Sequence, residues 1–280
     1  MPEARLAPQT TVDRHAELTA LLHTLKLPSM ADTFAELALK AAKANLTHEA
    51  FLYELVQAER QGREANRIVR LRRQSGLPLE KTFATLDLTT FPLAIQLQVE
   101  RLRSGSFVAD AINIVAAGKP GVGKTHLLAA IGHELILQSH PVLWTATATL
   151  VQRLLAAKRD LRLPHLLAQL DRFACVILDD IGYVQHDRDE MEVLFTLLAE
   201  RYERRSVAIT TNLVFSEWNR IFKDPMTTMA AIDRVVHHSV ILDLMGMDSF
   251  RAKEATEQQP PAAPTSHEGR ASNGAVDPVA

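Results

Sequence analysis

The sequence predicts an α/β protein: a parallel sheet flanked by helices, preceded by a small all-α N-terminal region. Three observations carry this. An apolar run, Ile112 to Ala117, ends in a glycine-rich loop, and Leu127, Leu128, Ile131, Leu135 and Ile136 then recur at helical spacing. From residue 140 onward, strand-like and helix-like pieces alternate, the signature of parallel strands joined by crossover helices. Before residue 100 only helical periodicity appears.

The loop reads Gly118-Lys119-Pro120-Gly121-Val122-Gly123-Lys124-Thr125, with His126 next. The pattern G-x-x-x-x-G-K-T between a strand and a helix is a phosphate-binding loop. Glycines let backbone N–H groups wrap phosphates without Cβ clashes, and the helix start adds free donors and a positive dipole end. Lys124 is expected to reach the β and γ phosphates of ATP, and the Thr125 hydroxyl to ligate Mg²⁺.

In the N-terminal part, Leu18, Leu21, Leu22 and Leu25 mark one helix, which Pro28 stops. Ser29, with Asp32 three residues on, reads as the cap of a second helix carrying Met30, Phe34, Leu37, Ala38 and Ala41. Thr47 caps a third, with Phe51, Leu52, Leu55 and Val56. At its far end six arginines from Arg60 to Arg73 face Glu64 alone, and Arg63, Arg67 and Arg70 share one face. That is a solvated helix face, a phosphate-contacting surface on DNA, or a dock for an acidic protein partner. Residues 76–92, with a glycine and two prolines, read as a linker packed on the next domain. The expected domains are 1–92, helical and DNA- or partner-binding; 93–253, the nucleotide-binding core; and 254–280, a disordered tail with four prolines and no aromatic residue.

In the core, Val142-Leu143-Trp144 is a strand, 149–158 a helix, and Ala174 to Leu178 a central strand ending in Asp179-Asp180. Four apolar residues before two carboxylates resemble a Walker B motif. Asp179 is then expected to serve Mg²⁺ at the carboxyl edge of the sheet, and Asp180 to orient or deprotonate water. A strand simply ending in a polar turn has the same pattern. Asp189 with Glu192 reads as a helix cap, and Val207 to Thr211 as a strand ending at Asn212, a polar amide placed to hold water or the γ phosphate. Ser216 is expected to cap a short helix and residues 223–229 to form a loop. Arg234, before the strand Val240 to Leu244, is either an ordinary helix-surface arginine or, by resemblance to AAA+ assemblies, the arginine expected to act in trans on a neighbour's site. Arg251 is a candidate second sensor of the phosphates, and His237 and His238 read as turn residues.

Together these residues resemble the IstB-like transposition helper ATPases, relatives of the DnaC helicase loaders and, more distantly, of DnaA. The resemblance covers about 18–253, on LKLPSMADTF, GKPGVGKTHL, VILDDIGYV, AITTNLVFSEW, IFKDP, IDRVVHH and MDSFR. It implies an AAA+ fold with sheet order 5-1-4-3-2 and an ATP-assembled homo-oligomer. It further implies binding to double-stranded DNA and cooperation with an IstA-like DDE transposase. In this family Glu is common where Asp180 stands; the shorter arm bears on the hydrolysis rate and not on nucleotide binding. In the related loaders the segment after the second strand touches DNA. Here Arg153, Lys158, Arg159 and Arg162 face Asp160 alone in that segment. With the Arg63, Arg67 and Arg70 face, these are the expected DNA contacts, to backbone rather than bases.

A DnaC-like replicative helicase loader shares all of this ATP chemistry and differs in its partner. A metabolic kinase with a phosphate-binding loop would need neither Asn212 nor Arg234. A scaffold that binds ATP and barely cleaves it is kept open by Asp180. At net charge −2, any nucleic-acid affinity must come from local patches. The single Cys175 excludes an internal disulfide and reads as a core residue. The N-terminus lacks an apolar secretion core, and no apolar run is long enough to span a bilayer. A cytoplasmic protein that stays off the membrane is expected.

Overall fold

The computed structural model describes residues 11–182, 188–218 and 225–250. Three N-terminal helices come first: α1 (Thr11–Thr24), α2 (Pro28–Lys43) and the long α3 (His48–Ser75). A linker with one 3-10 turn leads to α4 (Leu93–Arg103). Five strands then alternate with helices: β1 (Asn113–Ala117), α5 (Lys124–Leu137), β2 (Val142–Ala146), α6 (Thr147–Arg159), α7 (Leu163–Leu170), β3 (Cys175–Asp179), α8 (Arg188–Arg201), β4 (Ser206–Thr211), α9 (Pro225–Val236) and β5 (Ser239–Asp243).

The sheet is wholly parallel with order β2-β3-β4-β1-β5, the predicted 5-1-4-3-2 read from the other edge. Strand side chains alternate between two apolar layers. Ile114 and Ala116 of β1 and Cys175 and Ile177 of β3 face the layer with α4 and α5. Val115, Val176 and Leu178 face the layer with α6, α7 and α8. Continuous apolar strands are what burial on both faces demands.

The helical region has its own small core of Met30, Phe34 and Leu55. Thr47 caps α3, accepting from the Ala50 amide at 3.2 Å. The predicted Ser29 cap is corrected: α2 begins at Pro28, with Leu27 at the cap position and no side-chain cap bond there. Proline loses nothing at a first helical position, where its missing N–H has no partner anyway. The acceptor comes instead from α3: the Met30 amide donates to Glu59 Oε2 at 3.1 Å. Burial works to raise the Glu59 pKa, but hydrogen bonds from the Arg63 side chain and the Met30 amide outweigh it and hold the carboxyl below its ordinary value.

Three local expectations also change. Residues 225–229 belong to α9 rather than to a loop; Asp189 lies inside α8, which starts at Arg188; and Ser216 lies within the 3-10 turn Phe215–Glu217. Helices α4 and α7 had no sequence assignment. The linker is packed down as expected, with Leu77 and Phe91 buried in the same cluster as α5. Cys175 is a buried, free core thiol whose pKa burial pushes up to about 12.

Arg201 at the end of α8 is 2% exposed. Its guanidinium donates to the carbonyls of Leu170 and Phe173 after α7 and of Ser206 in β4, each at 2.9 Å. It fastens three chain segments at the amino edge of the sheet. Arg201→Ala would strand those carbonyls without donors. We expect a loss of about 3 kcal/mol or more, read as a lower midpoint in urea unfolding with nucleotide absent.

Candidate nucleotide-binding site

β1 ends at Ala117, and the chain turns through Gly118 to Gly123 into α5. Gly121 and Gly123 have φ of 84° and 89°, the left-handed region that glycine adopts without strain. A Cβ on Gly118 would come within 2.9 Å of Leu244 Cβ and Val122 Cγ2, so the loop is seated against the chain leaving β5. The Gly118 amide donates to the Thr211 carbonyl of β4 at 3.1 Å. Val122 is fully buried, whereas Lys119 and Pro120 are exposed at the tip.

Lys124 Nζ donates back to the carbonyls of Gly118 at 2.6 Å and Lys119 at 2.9 Å. The ammonium is therefore held over the loop. Thr125 Oγ1 donates to Asp179 Oδ1 at 3.0 Å. The same oxygen accepts from Thr210 Oγ1 at 2.7 Å, and Thr210 Oγ1 in turn accepts from the Asp180 amide at 2.7 Å. The residues expected from the loop and from the paired carboxylates thus meet at the carboxyl edge of the sheet.

Thr210 was not singled out in the sequence. Its signal was its place one position beyond the paired residues of β3 and β4, which puts it beside Asp179 once those strands are known to be neighbours.

Asp180 has φ of 61° and is exposed at the rim of the site. Partial burial and the neighbouring Asp179 charge raise its pKa, while Lys124 pulls the other way. Asn212 follows β4 at the same edge. Its Oδ1 is buried, lies against Gly182 and accepts no hydrogen bond from the described residues.

A cavity of about 420 Å³ opens beside the loop. Gly121, Gly123, Lys124, Thr125 and His126 form one wall, and Lys81, Thr85, Asp87 and Thr90 of the linker form another. His126 Nε2 lies 3.1 Å from both Thr85 Oγ1 and the Thr82 carbonyl, which ties the linker to the first turn of α5. Phe250 closes the cavity: its amide donates to the Gly121 carbonyl at 3.0 Å, and its ring lies 5.9 Å from that of Phe91. Arg251 lies outside the described residues.

Arg234 stands elsewhere, in the last turn of α9. The Arg234 carbonyl accepts from the Asn113 side chain at 3.3 Å, so this residue neighbours the start of β1, at the opposite end from the loop. Its guanidinium stacks 4.6 Å from the Phe195 ring centroid, and its buried Nη1 has no hydrogen-bond partner among the described residues. His237 and His238 form the turn before β5, and His238 pairs with Glu203 at 3.3 Å.

The basic residues of the sequence analysis divide. Arg63 is bonded to Glu59 at 2.7 Å and to the Lys26 carbonyl at 2.8 Å, and Arg67 to the Ser139 carbonyl at 3.1 Å. Lys158 pairs with Glu192 at 2.9 Å and Asp189 at 3.6 Å. Arg70, Arg153, Arg159 and Arg162 are exposed, with no side-chain hydrogen bond or ion pair among the described residues.

A family model described as IstB-like ATP binding protein matches residues 20–258. A putative insertion sequence ATP-binding protein of Sinorhizobium fredii is 41% identical over 248 residues, covering 88% of this chain and 83% of that relative. The insertion sequence IS21 putative ATP-binding protein of Pseudomonas aeruginosa is 36% identical over 238 residues, covering 85% and 89%. The structure of AMPPCP-bound DnaA from Aquifex aeolicus aligns with a TM-score of 0.52 at 15% identity, over 65% of this chain and 56% of that one, a likeness of fold.

Two substitutions test the site. Lys124→Ala is expected to abolish binding of a fluorescent ATP analogue. Asp180→Asn is expected to spare that binding and slow hydrolysis by roughly 10²-fold or more, the usual scale of a lost general base. Because the Asp180 pKa is raised, its base form is lost at a higher pH than an ordinary aspartate's. The acid limb of kcat/KM in the unsubstituted protein should sit correspondingly high and be absent from Asp180→Asn.

Proposed function

We propose that this chain, which belongs to the IstB-like ATP-binding protein family, hydrolyses ATP between subunits of a homo-oligomer assembled on double-stranded DNA. In that state it would assist a DDE transposase of its insertion sequence, in the cytoplasm. The observation that carries the ATP chemistry is the junction of Thr125, Asp179 and Thr210 beside the phosphate-binding loop. The transposition context rests on the relatives, which are described as putative ATP-binding proteins of insertion sequences.

The loop amides and the start of α5 would bind the triphosphate, and Lys124 would exchange its two carbonyl acceptors for phosphate oxygens. Thr125 and Asp179 offer an oxygen pair suited to Mg²⁺, which would neutralise charge on the phosphate oxygens. Asp180 would take the proton of the attacking water as its oxygen bonds to the γ phosphorus and the bond to ADP breaks. Asn212, whose side-chain amide stands at the same edge, would hold that water.

Support for a shared site comes from Arg234. About 13 Å of strand separates the two ends of β1, farther than an arginine side chain extends, so Arg234 does not reach the phosphates of its own loop. Its guanidinium makes no ion pair among the described residues, so turning out from the Phe195 ring would free it to meet the γ phosphate of an adjoining copy. For DNA, Arg159 and Arg162 at the corner between α6 and α7 are best presented to phosphates.

Arg234→Ala should retain ATP binding and lose hydrolysis. Mixed with Lys124→Ala, it should regain part of the activity, because each variant supplies the half that the other lacks; failure of both results would remove the trans role. Arg159→Ala with Arg162→Ala should weaken duplex binding across unrelated sequences. It should also flatten the salt dependence by about two units of log–log slope, measured by anisotropy from 50 to 200 mM salt.

A further inference from the structure

A second cavity, of about 730 Å³, lies away from the nucleotide site. It runs along the start of β2, between the C-terminal part of α3 and the α6–α7 pair. Its floor is apolar: Leu71 and Leu170 are buried, and Leu143, Leu166 and Phe173 are partly covered. Arginines rise around that floor: Arg70 from α3, Arg153 from α6 and Arg172 just after α7. All three are exposed, and none of their side chains makes a hydrogen bond or ion pair with the described residues. Among the described residues no acidic side chain lines the groove.

Arg63, Arg67 and Arg201 bond to carboxylates or carbonyls within the fold, whereas the three guanidinia at this apolar rim make no such contact with the described residues. Arginine binds carboxylates through parallel N–H donors, and its planar head also lies against apolar side chains. The floor and the rim thus ask for different things, one for leucine- or phenylalanine-sized groups and the other for carboxylates. A DNA backbone meets only the second demand, since protein–DNA interfaces are polar and wet rather than apolar at their base.

We propose that this groove docks a short acidic segment of a partner protein, with apolar anchors seated between carboxylates. The groove volume lies within the range of sites that enclose a compact ligand. Arg70 and Arg153, expected from sequence to contact DNA, are thereby assigned to a protein partner. Arg159 and Arg162 remain with the nucleic acid. The inference is independent of the ATP chemistry and goes beyond it.

The test pans a phage-displayed library of random dodecapeptides on the full chain. Enriched peptides should carry two or more Asp or Glu residues around Leu, Ile or Phe. Synthetic copies should lose at least tenfold in affinity to Arg70→Ala/Arg153→Ala, and separately to Leu166→Ser. Both variants should keep ATP binding, which shows they are folded, and should bind a 30-base-pair duplex within twofold of the unsubstituted chain. Enrichment no better than on a protein-free surface, or peptides lacking that pattern, would overturn the proposal. So would peptide binding indifferent to Leu166→Ser. Tenfold loss of duplex binding in the arginine variant, with Leu166→Ser unchanged, would make the groove a nucleic-acid surface instead.

Discussion

One carboxylate oxygen organises the nucleotide site. Asp179 Oδ1 accepts from Thr125 at the start of α5 and from Thr210 of β4, so a single atom joins the loop, the central strand and its neighbour. Both donors are neutral hydroxyls, which leave the charge of Asp179 uncompensated, and Asp180 stands directly beside it. The cation among these groups, Lys124, is turned onto backbone carbonyls. Partial burial raises the Asp180 pKa, and the neighbouring Asp179 charge raises it further against the pull of Lys124. A carboxylate pair beside the loop is donor chemistry that suits a divalent cation.

The same edge is tied to the helical region through the linker. Thr82 and Thr85 meet His126 one residue after Thr125, while Leu77 and Phe91 are buried in the core that α5 helps to form. Phe250 reaches the loop from the chain that leaves β5, the neighbour of β1, and faces Phe91 across Gly123. A ligand in the cavity would touch the linker, the loop and the chain after β5 at once.

Three of the five strands were legible because each ends in a chemical signal. Apolar runs stopping at Gly118, at Asp179-Asp180 and at Asn212 give both the strand and its functional edge. The second helix start was misplaced because Ser29 satisfies a local capping rule, whereas the acceptor is Glu59, a partner 29 residues away. Thr210 was missed for a related reason: its role depends on which strand lies beside it, and strand order is not a local property. The cavity wall from Lys81 to Thr90 was hidden because a linker carries no periodicity to read. Phe250 could be singled out only as the neighbour of Arg251, since contact with Gly121 comes from tertiary folding.

Charge counts were the least informative of the sequence signals. The arginine-rich part of α3 looks like one positive face, yet the fold divides it three ways. Arg63 neutralises Glu59 and holds the start of α2, Arg67 caps the carbonyl of Ser139 after α5, and Arg70 overlooks an apolar groove. In the second basic segment Lys158 is paired across to α8, whereas Arg159 and Arg162 remain exposed at a corner. A guanidinium bonded inside the fold contributes to the long-range field but cannot close on a phosphate without first leaving its partner. The arginines without partners among the described residues differ in what surrounds them: Arg159 and Arg162 are exposed at the corner between α6 and α7, whereas Arg70 and Arg153 rise beside a hydrophobic floor.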